Sequence, residues 1–348
     1  MSASRFSLSG ISFGGAAKNA DAVRDLVQLI DTLQIEPSDS LSVVAPEEVR
    51  IAALQVLFRQ YQSAADYVAD LNVYLSDAVN RRCQMVCFPA FFGLLSLPLS
   101  PRFDPGALRP DPVTGLPQHA LLHACLSDCS DYAYEIYFAA MSAFAARYRI
   151  FIMAGSTLYF ENNLLTHRAF LFNNKGALVG AQDKLSLTPL EKALSINAAE
   201  ELKAFETPLG TTCILTGSDV LHFELAAAAK SMGAQLLLNP AVFARQYTPV
   251  DTADGLNLRV QEAGLYGVQS TLVGRANTCT LHGPACVFSP CEIAGPPGNN
   301  GVVARSNGRH APDMAVGVLN MNRLGLLCDP LTSDSNPQFI SKYYDRLY

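Results

Sequence analysis

A glycine, a hydroxyl and a carboxylate stand side by side at Gly217-Ser218-Asp219, directly after the β-branched and apolar run 211–215. That run predicts a strand, and groups at the carboxyl end of a strand in an open α/β sheet face the ligand crevice. This elbow is therefore the first place to look for chemistry. Acyl transfer through Ser218 would need a general base. The nearby His222 is predicted on the surface of the following helix.

The elements around the elbow predict one strand–helix–strand unit. The helix after the elbow carries Leu221 and Leu225 near one face and stops at Gly233. The buried strand that follows covers 235–239. This unit fixes the elbow at the carboxyl end of its first strand.

A second strand–helix–strand unit lies earlier in the chain. The pattern predicts a buried strand over 49–56, an amphipathic helix over 61–82 and a short strand over 85–88. That short strand ends at Pro89-Ala90, and the exit loop begins with Phe91 and Phe92.

A tight turn at 173–176 predicts an antiparallel hairpin in the middle of the chain. Lys184 comes at the end of the second hairpin strand, and the segment LSLTPLE then ends at Glu191. Helices and strands alternate in both halves of the sequence. This order predicts an α/β fold of two mixed sheets flanked by helices.

The composition excludes several classes of function. Hydrophobic residues make up 49% of the 348 residues and charged residues 16%, so we expect self-association or apolar loops to cover much of the surface. The net charge of -6 argues against a nucleic-acid or anionic-membrane partner. Neither an apolar run of membrane-spanning length nor a secretory signal is predicted. No phosphate-binding glycine motif is present, and we expect no cofactor.

The cysteines and histidines do not predict a metal site. The nine cysteines are odd in number and spread along the chain, which favours reduced thiols in a cytoplasm. Cys83 and Cys87 repeat the spacing of Cys125 and Cys129, but neither pair has the CxxC spacing. The histidines at 119 and 123 lack the glutamate of an HExxH helix.

Three parts of the chain are predicted. Residues 1–47 form an extension with one helix and a linker, 48–320 form the main domain, and 321–348 form a tail expected to make oligomer contacts. The Pro-rich segment 96–118 is predicted to be a loop of the kind that forms lids or interfaces.

Four segments together resemble the nitrilase, or carbon–nitrogen hydrolase, superfamily from about Val49 to Leu319. They are VRIAALQV, VCFPA, FNNKGALVGAQDKLSLTPLE and GTTCILTGSDVLHFELAAAAKSMGAQLLLNP. The resemblance implies an αββα sandwich that dimerises and often assembles further. It also implies chemistry on amides and nitriles, in which a thiolate attacks, a glutamate carries the proton and a lysine stabilises the oxyanion.

Carried over residue by residue, the resemblance leaves this chain without two of the three groups. The lysine falls on Lys184 and the accessory glutamate on Glu191. The base position falls on Ala90, and the nucleophile position falls on Gly217, with Ser218 supplying the oxyanion N–H. Neither an alanine nor a glycine transfers protons.

Other residues near the elbow do not replace the missing groups. Cys213 is four positions upstream of Gly217 and is predicted to be core. Ser218 is adjacent to the vacant position, but its side chain should point the other way. Arg259 matches a family arginine and is interpreted as structural.

The space left by the missing side chains has two interpretations. Phe91 and Phe92 either fill it, or they leave a small cavity in which Lys184 could meet a carboxylate or an amide. A salt bridge from Lys184 to Glu191 or Asp219 is favoured over an anionic ligand, because a buried unpaired lysine is costly. The predicted pocket residues are Phe91, Phe92, Lys184, Glu191, Ser218 and Asp219.

The sequence therefore predicts a catalytically inactive nitrilase-fold protein in the cytoplasm. We expect it to act as a scaffold, a regulatory subunit or a small-ligand binder, as a homo-oligomer or in a complex with an active enzyme. The alternative is an amide or nitrile hydrolase, or an amidotransfer-type enzyme, with a non-standard nucleophile such as Ser218.

Overall fold

The computed structural model describes residues 19–37, 45–109, 119–161, 164–244, 255–276, 279–294, 300–308 and 311–327, with single positions 338 and 342. Most of the predicted C-terminal tail and the second part of the Pro-rich segment lie outside the described residues.

The helices follow the sequence pattern closely. They are α1 (Ala20–Thr32), α2 (Ala64–Asn80), α3 (His119–Tyr148), α4 (Pro189–Ala193), α5 (Phe223–Ser231) and α6 (Leu256–Ala263). Short 3-10 helices cover Phe92–Leu99, Pro105–Leu108, Gly217–Leu221 and Met321–Leu326. No helix in the described ranges is long and apolar enough to cross a membrane.

Two 3-10 helices stand where a loop is predicted from residue 96 onward. Leu95 and Leu97 are buried in the first of them, and Pro98 lies inside it. These buried leucines pack the segment against the core, although its prolines led the sequence to predict a loop. The helix α6 was not predicted, and it ends at Gly264 in the left-handed conformation.

The strands form one large mixed sheet that is nearly barrel-like. They are β1 (Val49–Leu57), β2 (Met85–Cys87), β3 (Phe151–Glu161), β4 (Leu164–Phe172), β5 (Leu178–Asp183), β6 (Ile196–Asn197), β7 (Ala204–Phe205), β8 (Thr212–Ile214), β9 (Leu236–Val242), β10 (Tyr266–Ala276), β11 (Cys279–Leu281), β12 (Cys286–Phe288), β13 (Val302–Arg305) and β14 (Asp313–Leu319). The main path runs β5-β4-β3-β2-β1-β10-β9-β8-β7, with β14 antiparallel beside β1.

Alternate strand residues face two different layers, as the two-residue period of a strand requires. In the first half of the sheet, Ala52 and Leu54 of β1 pack in the cluster that contains α1, α2 and α3. Ile51 and Ala53 face a cluster built from both halves of the sheet. Helices therefore cover the outer face of the first half of the sheet, and the second half of the sheet packs against its inner face.

The second half of the sheet repeats this arrangement. Leu236 and Leu238 of β9 face the shared inner cluster. Leu237 faces outward and packs with Ala229 of α5 and Val260 of α6. The predicted αββα layering is confirmed. Parallel pairing of β1 with β10 joins the two predicted sheets into one.

The strand directions bring the two predicted chemical regions to one edge. The strands β8, β9, β10, β1 and β2 are parallel to their neighbours in that order. Their carboxyl ends therefore lie on the same side of the sheet. The elbow follows β8, and Pro89-Ala90 follows β2.

Candidate active site

The elbow is held by a buried carboxylate that accepts hydrogen bonds from the backbone. Asp219 accepts from the N–H of Thr216 at 3.0 Å, of Ser186 at 2.7 Å and of Leu185 at 3.3 Å. Burial raises the pKa of Asp219 to about 6, against the lowering effect of these hydrogen bonds and of the Lys184 charge. Asp219 therefore pins the elbow to the segment that follows Lys184.

Gly217 is the elbow residue that faces the lysine. Its φ is +55°, in the left-handed region that favours glycine. A Cβ at this position would lie 3.9 Å from Nζ of Lys184 and 4.0 Å from its Cε. These are ordinary van der Waals distances, so the space beside Gly217 admits a Cβ that would contact the end of the Lys184 side chain.

Asn239 of β9 fixes the elbow from the other side. Its Nδ2 donates to the carbonyl of Leu215 at 2.6 Å and to that of Gly217 at 3.2 Å. Its Oδ1 is buried and has no hydrogen-bond partner among the described residues. The elbow thus has an unused buried acceptor close to it.

Lys184 is almost completely buried and is paired with Glu191. Its main chain continues the hairpin, because its N–H donates to the carbonyl of His167 at 2.8 Å. Its ammonium donates to Oε2 of Glu191. The salt bridge predicted for this lysine is present, and Glu191 rather than Asp219 is the partner.

Glu191 is held by the first turn of α4. Its Oε2 accepts from the N–H and the Oγ1 of Thr188, both at 2.8 Å, in a capping box. Its Oε1 lies 2.8 Å from Nδ1 of His167. Burial alone would raise the pKa of Glu191, but the hydrogen bonds and charges of His167 and Lys184 lower it to about 2.

His167 continues this chain of hydrogen bonds to a serine. Its Nε2 lies 2.7 Å from Oγ of Ser156, and that Oγ accepts from the N–H of Phe91 at 3.0 Å. His167 is 1% exposed and Ser156 is 0% exposed. Burial lowers the pKa of His167, so the imidazole is neutral at pH 7. We call Ser156, His167 and Glu191 the relay.

The three residues that follow Pro89 after β2 have different surroundings. Ala90 is buried. Phe91 has a φ of +59°, and its ring stacks on the His167 imidazole with centroids 4.3 Å apart. Phe92 instead packs 4.7 Å from Phe88 in the helix-side core, so its predicted place in the pocket is corrected to a core position.

The family comparison is decisive. The model of the carbon–nitrogen hydrolase family matches residues 50–293. The chain belongs to the carbon–nitrogen hydrolase family. A curated relative, the probable hydrolase YhcX of Bacillus subtilis (strain 168), is 22% identical over 264 residues, which are 74% of this chain. The chain spans about half of that relative's length, at 47%.

Solved amidase structures share the fold of this member of the carbon–nitrogen hydrolase family. The amidase from Nesterenkonia sp. has a TM-score of 0.64 at 17% identity, covering 88% of this chain and 100% of the amidase. A substituted form of the amidase from Nesterenkonia sp. AN1, showing Michael addition of acrylamide at its active-site cysteine, has a TM-score of 0.63 at 18% identity. It covers 85% of this chain and 99% of that one.

Ser218 and Arg259, two other residues considered from the sequence, make common hydrogen bonds and ion pairs. Oγ of Ser218 donates to the carbonyl of Ser186 at 3.3 Å, and within the described ranges no imidazole contacts it. Arg259 pairs with Glu262 three positions later on α6, at 3.1 Å. Among the residues that the structure describes, no group of three or more metal-ligating side chains comes together.

Sequence reasoning missed Ser156 and His167. They are 11 positions apart on the antiparallel strands β3 and β4, so no local motif links them. One signal was present. His167 stands in register with Ala169 and Leu171, which face the interior, and a polar residue at such a position needs a partner.

Proposed function

We propose that this carbon–nitrogen hydrolase family member does not carry out thiol-dependent hydrolysis of amides or nitriles and acts by binding. One observation carries the proposal. A Cβ added at Gly217 would lie 3.9 Å from the Lys184 ammonium, but this residue has no side chain to attack a substrate. Loss of a covalent nucleophile costs about 10⁴–10⁶ in rate.

The proton carrier is missing from the same site in this proposal. Ala90, at the expected base position after β2, has only a methyl group, and that methyl is buried. Loss of a second member of such a unit adds little further cost, since the members act together. Both changes leave the fold in place, which supports a role as scaffold, regulatory subunit or small-ligand binder.

Cys213 does not supply the nucleophile that this proposal finds missing at Gly217. Cys213 is the cysteine nearest in sequence to the elbow, and it packs in the core on the α5 side of the sheet. Burial raises its pKa to about 11. A thiol in such surroundings stays protonated and unreactive.

The charges at the site favour a neutral ligand over a carboxylate. Lys184 is already compensated by Glu191, and Asp219 lies close behind the elbow. A second anion would have no free positive charge to meet. A small group that accepts from Lys184 and donates to Asn239 Oδ1 matches the unused hydrogen-bonding atoms.

The alternative is a hydrolase or amidotransfer-type enzyme that uses Ser218. Its Oγ already donates to a backbone carbonyl, and the described residues give it no base. Unactivated serine hydroxyls are poor nucleophiles. Ser218 is therefore the less well supported choice.

We further propose that the chain works in the cytoplasm as a homo-oligomer or beside an active enzyme. The cysteines in the described ranges are free thiols. Next to the elbow, Leu221 is 60% exposed and Phe223 is 47% exposed, which suits a surface that is covered in an assembly.

Restoring the missing groups tests the proposal. The unaltered chain should release no ammonia from small amides and should form no acrylamide adduct at position 217. The double variant A90E/G217C should gain the adduct, seen by peptide mass spectrometry, and G217A should not. Amide hydrolysis by the unaltered chain, abolished by Lys184→Met, would contradict the proposal.

A further inference from the structure

The relay has the geometry of an activated serine. Oγ of Ser156 is 2.7 Å from one nitrogen of His167, and the other nitrogen is 2.8 Å from the Glu191 carboxylate. A hydroxyl, a base and a group that orients the base are the parts used for acyl transfer on unrelated folds. We propose that Ser156 accepts an acyl group from an ester or thioester and holds it covalently.

The proton positions in the relay follow from the groups that surround it. Glu191 is a carboxylate and only accepts, so Nδ1 of His167 carries a hydrogen and donates to it. In a neutral imidazole Nε2 is then the acceptor. Phe91 N–H donates to Oγ of Ser156, and the hydroxyl hydrogen is directed to Nε2. This is the tautomer that a general base needs.

Glu191 is also prepared to stabilise the protonated base. Its carboxylate accepts from Thr188 and Lys184, which fix its position before any reaction. When His167 takes the serine proton, the imidazolium lies in direct contact with that carboxylate. Lys184 opposes the new charge, so the relay favours brief protonation rather than a resting imidazolium.

Other buried serines lack this arrangement and serve as internal controls. Oγ of Ser142 donates to the carbonyl of Gly176, and Oγ of Ser270 donates to that of Cys87, both at 2.7 Å. A hydroxyl that donates to a carbonyl has no base to take its proton. In the described part of the chain, Ser156 is the serine whose hydroxyl meets an imidazole.

Phe91 covers one face of the His167 imidazole. Its ring lies on His167, and it is only partly buried itself, whereas Ser156 and His167 are fully buried. Its φ of +59° lies in the left-handed region, which is strained for a non-glycine residue. Strained covers of this kind occur at functional sites. Removing the Phe91 ring should open a path to Ser156.

The chemical step balances within the relay. Oγ of Ser156 forms a bond to the acyl carbon, and the bond from that carbon to the alcohol or thiol leaving group breaks. The hydroxyl proton passes to Nε2 of His167 and then to the leaving group. The product is an O-acyl serine and a free alcohol or thiol, with no oxidant or reductant. The step does not use Gly217 or Ala90, so it stands independently of the proposed function.

A fluorophosphonate probe and 4-nitrophenyl acetate test the proposal, with adducts mapped by peptide mass spectrometry. The full chain should be labelled slowly at Ser156, and F91A should be labelled at least tenfold faster. S156A should lose the adduct, and S270A should keep it. H167Q should slow labelling by about 10²-fold, the usual contribution of a general base. Labelling should also fall at acidic pH, where His167 is protonated.

Circular dichroism of each variant serves as the control for folding. An adduct on Ser218 in place of Ser156 overturns the proposal. So does the absence of a Ser156 adduct in a folded F91A variant, or labelling that H167Q leaves unchanged. Ammonia release by the unaltered chain would contradict the proposed function. The Ser156 proposal would then still be tested by the position of the adducts.

Discussion

The elbow and the relay both adjoin the Lys184 ammonium and are built in different ways. The elbow is held by Asp219 and Asn239, which bind main-chain N–H and carbonyl groups. The relay is built from side chains that bind one another. A backbone-bound elbow keeps its shape whatever residue stands at 217. In a side-chain network, removing one member leaves its neighbours without their hydrogen-bond partner.

This difference explains which residues are retained. Glycine suits the left-handed backbone at 217, so the missing side chain costs the fold nothing. Lys184 is buried, and its charge needs Glu191 as a partner. The Lys184–Glu191 pair is therefore expected to stabilise the fold whatever residue stands at position 217.

The largest effect is expected at the Lys184–Glu191 pair. Lys184→Met or Glu191→Gln alone should lower the free energy of unfolding by about 3–5 kcal/mol, since each leaves a buried charge without its partner. The double variant should lose less than the sum of the two. Urea unfolding of the four proteins measures this coupling.

The exposed pair Arg81–Asp77 provides the matched control. Its side chains are 49% and 47% exposed, and its contacts are of the i,i+4 helical kind. Arg81→Met should change the free energy of unfolding by about 0.3–0.5 kcal/mol. A Lys184→Met variant that is no less stable than Arg81→Met would show that the relay side does not depend on the charge pair.

An intermediate change in the free energy of unfolding is expected at Gly217 and Phe91, whose backbones are in the left-handed region. Gly217→Ala should lower the free energy of unfolding by about 1 kcal/mol, because its φ of +55° disfavours a Cβ. Phe91→Gly should be more stable than Phe91→Ala by a similar amount. Thermal unfolding compares the two sites.

Gly325 is the control for these substitutions. A Cβ added at Gly325 would meet no heavy atom of the described residues within 4 Å, and its φ lies outside the left-handed region. Gly325→Ala should therefore be close to neutral. If Gly217→Ala is equally neutral, the elbow backbone relaxes and is less firmly held than its hydrogen bonds imply.

Much of the fold was predictable, because buried strands and amphipathic helices follow simple periods. β1 and α2 match the predicted ranges to within a few residues. The helix α6 was missed because Leu256 and Val260 stand in a short apolar pattern next to a longer strand pattern. Short helices of this kind depend on tertiary packing more than on propensity.

The site was predictable where its residues are close in sequence. Lys184 and Glu191 are seven positions apart, and their pairing was expected. The relay was not, because Ser156 and His167 meet only through the register of β3 against β4. A shift in that register between Met153 and Ser156 also changes the face of the strand on which Ser156 lies. Pairing and bulges are set by the whole sheet.

The two buried carboxylates near Lys184 are expected to give pH dependences of stability with opposite signs. The pKa of Glu191 is lowered to about 2 from an ordinary value of 4.5, so its stabilising contribution is complete above pH 4.5 and is lost as the pH falls toward 2. The pKa of Asp219 is raised to about 6 from 3.8. The folded state therefore binds the Asp219 proton more tightly, and stability falls as the pH rises from 3.8 to 6.

Unfolding free energies measured between pH 3 and 7 separate these contributions. The difference between the unaltered chain and Glu191→Gln should grow with pH up to about 4.5 and then stay constant. The difference between the unaltered chain and Asp219→Asn should shrink between pH 3.8 and 6, because Asp219 ionises there in the unfolded chain while the folded state keeps its proton. Curves of the same sign for both variants would mean that the three backbone N–H groups outweigh burial at Asp219. The elbow carboxylate would then resemble the relay carboxylate in its charge, and the contrast between the two regions would rest on their hydrogen-bond partners alone.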